Sequence, residues 1–291
     1  MLWLGLYFPQ LPLEVFERAR QHGGAFAVVA RDRGRERISR CNAAAAAYGI
    51  QPGLALPAAL ALHAGLGVCA RDEAREAQAL QELAAWAYQF SARLAFEPSL
   101  LLLEVGASAR LFGGVQRLLD WVVREAGQLG YSLGSALAPT PTAAGLPARR
   151  RPGRQVIDRA GLAGQVEDIP LRQLTRDAGV RELMQHIGLA TIGDALALPR
   201  AELIRRTGPA LALLLDRLLG VAPDPRDEWQ PPCRFVQRIE LLGEIERSTA
   251  LVFPARRLMV ALCGFLRGHG GGAQRLRWCL EHRDRPESSF E

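Results

Sequence analysis

Leu2-Trp3-Leu4-Gly5-Leu6-Tyr7-Phe8 opens the chain, and much later Leu100-Leu101-Leu102-Leu103-Glu104-Val105 repeats its character. Both runs are short and almost wholly apolar, with no polar residue at alternate positions. The first reads as a short buried strand, and the second is apolar enough to be a strand buried on both faces. Between and beyond them, Leu13 to Arg20 reads as a helix entered at Pro12, whose missing N–H costs nothing in a first helical turn. Ala25 to Ala30 and the stretch around Arg37-Ile38-Ser39 read as a hairpin joined by Asp32-Arg33-Gly34. Asn42 caps a helix that runs to Tyr48 and closes at Gly49. Leu54 to Leu62, residues 73–90 and Val115 to Gln128 read as further helices. Ser135-Ala136-Leu137-Ala138 reads as a strand, followed by a turn and helix over Pro139 to Leu146. Arg149-Arg150-Arg151-Pro152-Gly153-Arg154 reads as a solvated loop.

From Leu171 the character changes to short helices, at roughly 171–186, 191–198, 200–206 and 209–219. Pro223, Pro225, Pro231 and Pro232 then mark a linker. Beyond it Phe235 to Leu241 alternates like a strand, Ala255 to Gly268 reads as an amphipathic helix, and Leu276 to His282 as a second strand. The order is a mixed α/β body, a helical module, a tether and the start of an α+β domain.

At 291 residues and 49% apolar composition the chain can fill more than one core. The five cysteines are scattered, odd in number and never spaced as CxxC, and the five histidines form no ligand pattern. That excludes a disulfide framework and a zinc site and points to a reduced cytoplasmic protein. The apolar N-terminus lacks a basic leader and is broken by Pro9 and Pro12, so it is not read as a secretory signal. No continuous run of eighteen apolar residues occurs, and no membrane span is expected. The formal charge is +6 and every basic residue is arginine, a permanent cation whose planar fork matches phosphate oxygens.

Four segments taken together carry a resemblance. They are Leu4 to Glu14, Tyr48-Gly49-Ile50-Gln51-Pro52-Gly53, Leu103-Glu104-Val105 with Ala109-Arg110-Leu111-Phe112-Gly113-Gly114, and Gly188-Leu189-Ala190-Thr191-Ile192-Gly193-Asp194. In this order the chain resembles the lesion-bypass (Y) family of DNA polymerases, and within it the catalytically degenerate branch of bacterial mutagenesis cassettes. The resemblance implies an α/β and α+β multidomain fold. A palm would take residues 1–12 and 72–165, fingers 13–71, a helical thumb of degenerate helix-hairpin-helix type 166–222, a linker 223–232 and part of a little finger 233–291. It also implies that the chain stops about halfway through the little finger, without the C-terminal region the family uses for protein contacts.

A nucleotidyl-transferring polymerase needs carboxylates to hold two Mg²⁺ ions, which take hard oxygen ligands. By the resemblance these belong at Tyr7, or two residues on at Pro9, and at Ser99 and Leu100; a shift of two residues gives Leu101 and Leu102. No carboxylate pair stands in either register. Glu97, Glu104 and Asp120 remain nearby in sequence, Glu104 read as facing out of the sheet or capping a neighbour and Asp120 as a solvated helix residue. The Tyr and Arg that active fingers offer to the triphosphate fall on Ala43 and Ala46, and the Asn, Lys and second Lys after the palm strand on Thr140, Pro141 and Gly145. Alanine cannot donate to phosphate. No catalytic residue, metal or cofactor is therefore assigned. The reading is a non-catalytic, DNA-associated scaffold in error-prone translesion synthesis and damage-induced (SOS) mutagenesis. The alternatives are an active metal-dependent DNA-directed DNA polymerase with a rearranged site, and a general helix-hairpin-helix DNA-binding protein.

DNA contacts are expected from backbone N–H groups at Gly-rich hairpins and from basic side chains. The first thumb hairpin, Thr175-Arg176-Asp177, has no glycine; the later Arg205-Arg206-Thr207-Gly208-Pro209 keeps one. Arg234 and Arg238 alternate with Val236, and Arg275 and Arg277 alternate likewise, so each pair would share one strand face. The nucleic-acid candidates are thus Arg205, Arg206, Gly208, Arg234, Arg238, Arg275 and Arg277. Gln10-Leu11-Pro12-Leu13-Glu14-Val15-Phe16 looks like a sliding-clamp peptide, but its place between strand and helix makes Leu11, Leu13 and Phe16 core. The family implies as partners a primer–template bound without sequence specificity, the sliding clamp, a RecA-like companion and a replicative-type polymerase, at the nucleoid and away from membranes.

Overall fold

The computed structural model describes residues 1–18, 20, 23–150, 152–175, 179, 181–182, 184, 188–241, 248–282 and 286–290. In chain order, β1 (Trp3–Tyr7) leads into α1 (Leu11–Glu17), the hairpin β2 (Phe26–Asp32) and β3 (Arg35–Cys41), α2 (Ala43–Ala47), α3 (Leu56–Leu62) and β4 (Gly67–Ala70). Then come α4 (Glu73–Ala87), the hairpin β5 (Leu94–Glu97) and β6 (Leu100–Glu104), α5 (Val115–Leu129), β7 (Gly134–Ala138), α6 (Pro141–Arg150) and β8 (Arg154–Gln155). The helices α7 (Leu162–Val166), α8 (Ile192–Ala197), α9 (Arg200–Thr207), α10 (Pro209–Leu219) and α11 (Val252–Gly268) and the pair β9 (Trp278–Leu280) and β10 (Ser288–Phe290) complete the described α-helices and strands.

The body is a five-stranded sheet of order β5-β6-β1-β7-β8. β1 sits at its middle, antiparallel to β6 and β7, with Tyr7 opposite both Leu100 and Gly134. Successive side chains of a strand face opposite ways, and both faces are covered. Leu4, Leu6, Leu101, Leu103 and Leu137 join the core under α4 and α5, whereas Trp3, Leu100, Leu102, Ala136 and Ala138 join the core under α6. Both buried strands read from the two apolar runs are thus present, and each is covered on both faces. α6 lies directly on the sheet because small residues face each other there: a Cβ on Gly5 would stand 2.6 Å from the Ala144 carbonyl oxygen. A three-stranded sheet, β3-β2-β4, carries α2 and α3, and Asn42 caps α2 through the Ala45 N–H at 2.9 Å.

Several elements differ from the sequence reading. β4 and β5 were not legible, being four residues each, with one intermediate in burial and the other no more apolar than its surroundings. Arg149 and Arg150 are not loop: they end α6, which runs through Pro147 because Ala144 and Ala148 are buried against the sheet, and Arg154 begins β8, parallel to β7. Phe235 to Leu241 forms no ladder among the described residues. Its alternation comes from packing, since Phe235 meets Phe265 with ring centroids 5.5 Å apart and Gln237 donates to Glu82 at 2.6 Å. The strand expected over Leu276 to His282 contracts to β9, paired with β10. Arg151, Arg176 and Asp177 lie outside the described residues, as does much of the helix expected over 171–186.

The Pro-rich tether is a docked strap. The Trp229 N–H donates to the Leu94 carbonyl at 2.8 Å on the open edge of β5, and its indole N–H donates to Gln81 at 2.7 Å. The ring packs edge-on to Tyr88 and Phe96, and Glu228 pairs with Arg93 at 2.8 Å. α11 packs along α4 and α5 through Ala261, Leu262, Gly264 and Phe265. A Cβ on Gly264 would stand 2.5 Å from the Trp86 ring, so the two helices are in close contact. Thr249–Gly268, with mean hydropathy 1.5, is long and apolar enough by length and composition to cross a membrane, although its apolar residues do not form one unbroken run. Only 22% of that stretch is buried, and the buried part is the face that packs against α4 and α5.

Two glycine substitutions separate close approach from backbone freedom. Gly5→Ala is expected to cost about 1–3 kcal/mol by forcing α6 off the sheet. Gly127→Ala, in α5 with open space around it, is expected to add about 0.5–1 kcal/mol. Urea unfolding of both variants beside the parent checks the opposite signs.

Candidate functional site

The sheet end where the resemblance places metal carboxylates is built by β1, the β5–β6 turn and the start of α6. Phe8 N–H donates to the Ser99 carbonyl at 2.8 Å, which brings Tyr7, Ser99 and Leu100 together. Leu100 is fully buried and Tyr7 half-buried. The nearest acidic groups are not where the resemblance expects them. Glu97, at the end of β5, accepts from Arg149 Nη2 at 3.0 Å and from Arg226 Nη1 at 2.9 Å. Arg226 Nη2 also donates to Thr142 Oγ1 at 2.6 Å and to Asp224 Oδ2 at 3.1 Å. The Arg149 guanidinium lies over the Tyr7 ring, 5.8 Å from its centroid. Two carboxylates, Glu97 and Asp224, therefore do converge, but on the Arg226 guanidinium.

The α6 N-terminus is occupied as well. The first N–H groups of a helix have no partner within it and commonly bind a phosphate or a capping side chain. Here Thr142 N–H donates to Asp224 at 3.0 Å, Thr142 Oγ1 donates to the same oxygen at 2.8 Å, and Ala143 N–H donates to Thr140 Oγ1 at 3.2 Å. Thr140 in turn donates to the Leu218 carbonyl at 2.8 Å, tying this turn to α10. Ala43 and Ala46 are exposed on α2. Glu104 is at the opposite end of the sheet, where its Oε1 accepts from the Leu2 and Gly106 N–H groups at 3.1 and 3.2 Å. Asp120 accepts from the Gln116 side chain on the exposed face of α5. Among the described residues no group of three or more His, Cys, Asp or Glu is placed to hold a metal ion. Sequence reasoning noted Glu97 but missed Asp224 and Arg226; their signal was a charged pair astride Pro225, inside a segment whose prolines mark it as linker.

The DNA candidates lie on other elements. Arg205 and Arg206 occupy the last turn of α9, and both reach back to Glu202. Hydrogen bonds from the two guanidiniums hold the Glu202 carboxyl below the usual carboxylate range. Gly208, at φ +74°, closes α9 and opens α10, so the two helices are joined by one residue with Pro209 in the first turn. Arg234 and Arg238 are exposed, and Arg238 pairs with Glu281 at 2.7 Å. Arg275 and Arg277 precede β9 and are exposed. The two expected basic strand faces are therefore not a sheet: Arg234 and Arg238 share the outer side of an extended segment, held there by the packing of Phe235 and Gln237. Leu11, Leu13 and Phe16 of the clamp-like stretch are buried. The Gly188 to Asp194 signature forms a helix cap in which Thr191 and Asp194 bond each other's backbone N–H at 3.1 and 2.8 Å.

This sheet, its flanking helices and the helical module that follows are the fold of a Y-family DNA polymerase. The insertion ternary complex of Dbh DNA polymerase superposes with a TM-score of 0.60 over 78% of this chain and 70% of that one, at 14% identity. The crystal structure of DinB from Sulfolobus solfataricus gives 0.52 over 78% and 69%, also at 14% identity. The impB/mucB/samB family model matches residues 13–149. Among named relatives it is similar to Protein ImuB of Caulobacter vibrioides, of strains NA1000 and CB 15 alike, at 28% identity over 237 residues. That match covers 81% of this chain and 52% of ImuB, so the chain spans about half the length of the relatives it matches.

Asp224 has a carboxylate only 7% exposed, with three donors on it. Asp224→Ala is expected to cost about 1–3 kcal/mol, since it leaves the Thr142 N–H without its acceptor and an underpaired guanidinium. Asp120→Ala is expected to change stability by less than about 0.5 kcal/mol. Thermal and urea unfolding of the two variants checks the contrast.

Proposed function

We propose that the chain is a non-catalytic Y-family DNA polymerase homologue, working as a DNA-associated scaffold in error-prone translesion synthesis and damage-induced mutagenesis. The observation that carries this reading is the sheet end: Tyr7 opposite Leu100, and Arg226 between the two nearby carboxylates. Two-metal phosphoryl transfer needs several free carboxylate oxygens around a pair of cations, and here those oxygens are spent on guanidinium and hydroxyl donors. The satisfied α6 N-terminus and the alanines of α2 support it, since a nucleoside triphosphate would find few donors there. In this reading the five-stranded sheet is the palm, residues 13–71 are fingers, residues 166–222 are the thumb and 233–291 are part of the little finger. DNA is held by its backbone without base readout, through Arg205, Arg206, Gly208, Arg234, Arg238, Arg275 and Arg277. Synthesis would fall to a replicative-type polymerase, with the sliding clamp and a RecA-like companion as further partners in the cytoplasm at the nucleoid.

Primer extension on a primed template with Mg²⁺ or Mn²⁺ tests the catalytic half, and no incorporation above the no-protein control is expected. Incorporation that disappears on Glu97→Ala would overturn it in favour of an active polymerase with a rearranged site. For the DNA half, fluorescence anisotropy across a salt series is expected to show binding that is indifferent to sequence. Arg205→Ala with Arg206→Ala, and separately Arg234→Ala with Arg238→Ala, should each weaken binding and flatten the slope of log K against log salt by about 1 for every phosphate no longer neutralised. An unchanged slope in both double variants removes these arginines from the interface.

A further inference from the structure

The sheet end carries a cation of its own, and the geometry points to Arg226 as a built-in substitute for a metal ion. This inference deepens the reading above and rests on it for the identity of the site. Four charged side chains from three separate segments meet, with Arg149 over the Tyr7 ring: Glu97 from β5, Arg149 from α6, and Asp224 and Arg226 from the strap. Their formal charges sum to zero, two acidic against two basic. The arrangement is nonetheless centred, because Arg226 touches both carboxylates, one with each terminal nitrogen. Its Nε is buried without a partner, so the side chain is positioned by what its two ends reach rather than by its own full hydrogen bonding. Asp224 is held independently by Thr142, and Glu97 independently by Arg149. Both carboxylates would thus stay near their positions with Arg226 gone.

A hard divalent cation and a guanidinium compete for the same oxygens by different chemistry. The ion bonds them directly and polarises what else it binds, whereas the guanidinium offers N–H donors in a plane and no open coordination position. A guanidinium at this point satisfies the carboxylates, carries no nucleotide chemistry and ties the strap across the end of the sheet. With the arginine removed, the two carboxylates would lose the cation that lies between them. Like charges at short range in a half-buried place are costly, and a free divalent ion is the natural replacement.

The test is a thermal-unfolding series on the whole chain with Mg²⁺, Mn²⁺ or no divalent ion. Arg226→Met is expected to lower Tm by roughly 2–4 °C or more without metal. Millimolar Mn²⁺ or Mg²⁺ should recover most of that loss, and should leave the parent protein's Tm unchanged. Arg226→Lys, which keeps the charge, should show no metal response, and adding Glu97→Gln to Arg226→Met should abolish it. If Arg226→Met fails to fold even with metal, the triple variant Arg226→Met, Glu97→Gln, Asp224→Asn should fold, because both carboxylates are then neutral amides and the asparagine oxygen can still accept from Thr142. The proposal is overturned if Arg226→Met is as stable as the parent, if parent and variant respond to metal alike, or if the triple variant also fails to fold. Primer extension by the parent protein would overturn the non-catalytic function, yet it leaves this readout untouched, so the two failures are distinguishable.

Discussion

The burial of β1 on both faces, between two antiparallel neighbours, is the constraint on which the rest of the molecule hangs. A central strand must place every backbone N–H and C=O in a ladder and every side chain in a core. Leu4 and Leu6 therefore commit α4 and α5 to one face, and Trp3 and Tyr7 commit α6 to the other. Gly5 sets how close α6 can come, since only hydrogen leaves room for the Ala144 carbonyl. Because the side-chain period is two, the register also decides the site. Tyr7 and Leu100 face the α6 side as partners, and a slip by one residue would bury Phe8 and Leu101 there instead.

What gathers at the end of that strand follows from the physics of partly buried charge. A carboxylate withdrawn from water is tolerable only if donors surround it, and Asp224 has three. The strap supplies both Asp224 and Arg226, and Trp229 anchors it a few residues on by adding to the open edge of β5. An edge strand left bare offers unpaired backbone groups to any extended chain; here one segment of the same molecule takes part of them. The Pro-rich composition of 223–232 is consistent with this use, because proline stiffens an extended segment without needing a ladder of its own.

The arginines outside this network are of a different kind. Arg205, Arg206 and Arg238 are surface cations with carboxylate partners, pairs whose strength fades with salt. Such charges exchange partners at little cost, which is what a surface meeting a phosphate backbone requires. Arg226 has no such freedom: its two terminal nitrogens are committed inside the fold.

Local periodicity and turn chemistry were enough to specify the two buried strands, the α1 entry at Pro12, the Asn42 cap and most of the helices. They suffice because apolar spacing and capping are properties of neighbours along the chain. The resemblance to the family also implied that Tyr7, Ser99 and Leu100 stand where metal chemistry would need carboxylates. Where a few residues acquire structure only from distant partners, the sequence was silent or misleading. β4 and β5 are strands only because β2 and β6 pair with them. Residues 235–241 alternate because Phe235 and Gln237 lie against α11 and α4, a period of two without a sheet. Asp224 and Arg226 look like linker charges until the strap folds back over more than a hundred residues of chain to Glu97. That pairing is visible only in the folded chain, because the attraction that fixes it acts through space between groups whose separation in sequence carries no signal.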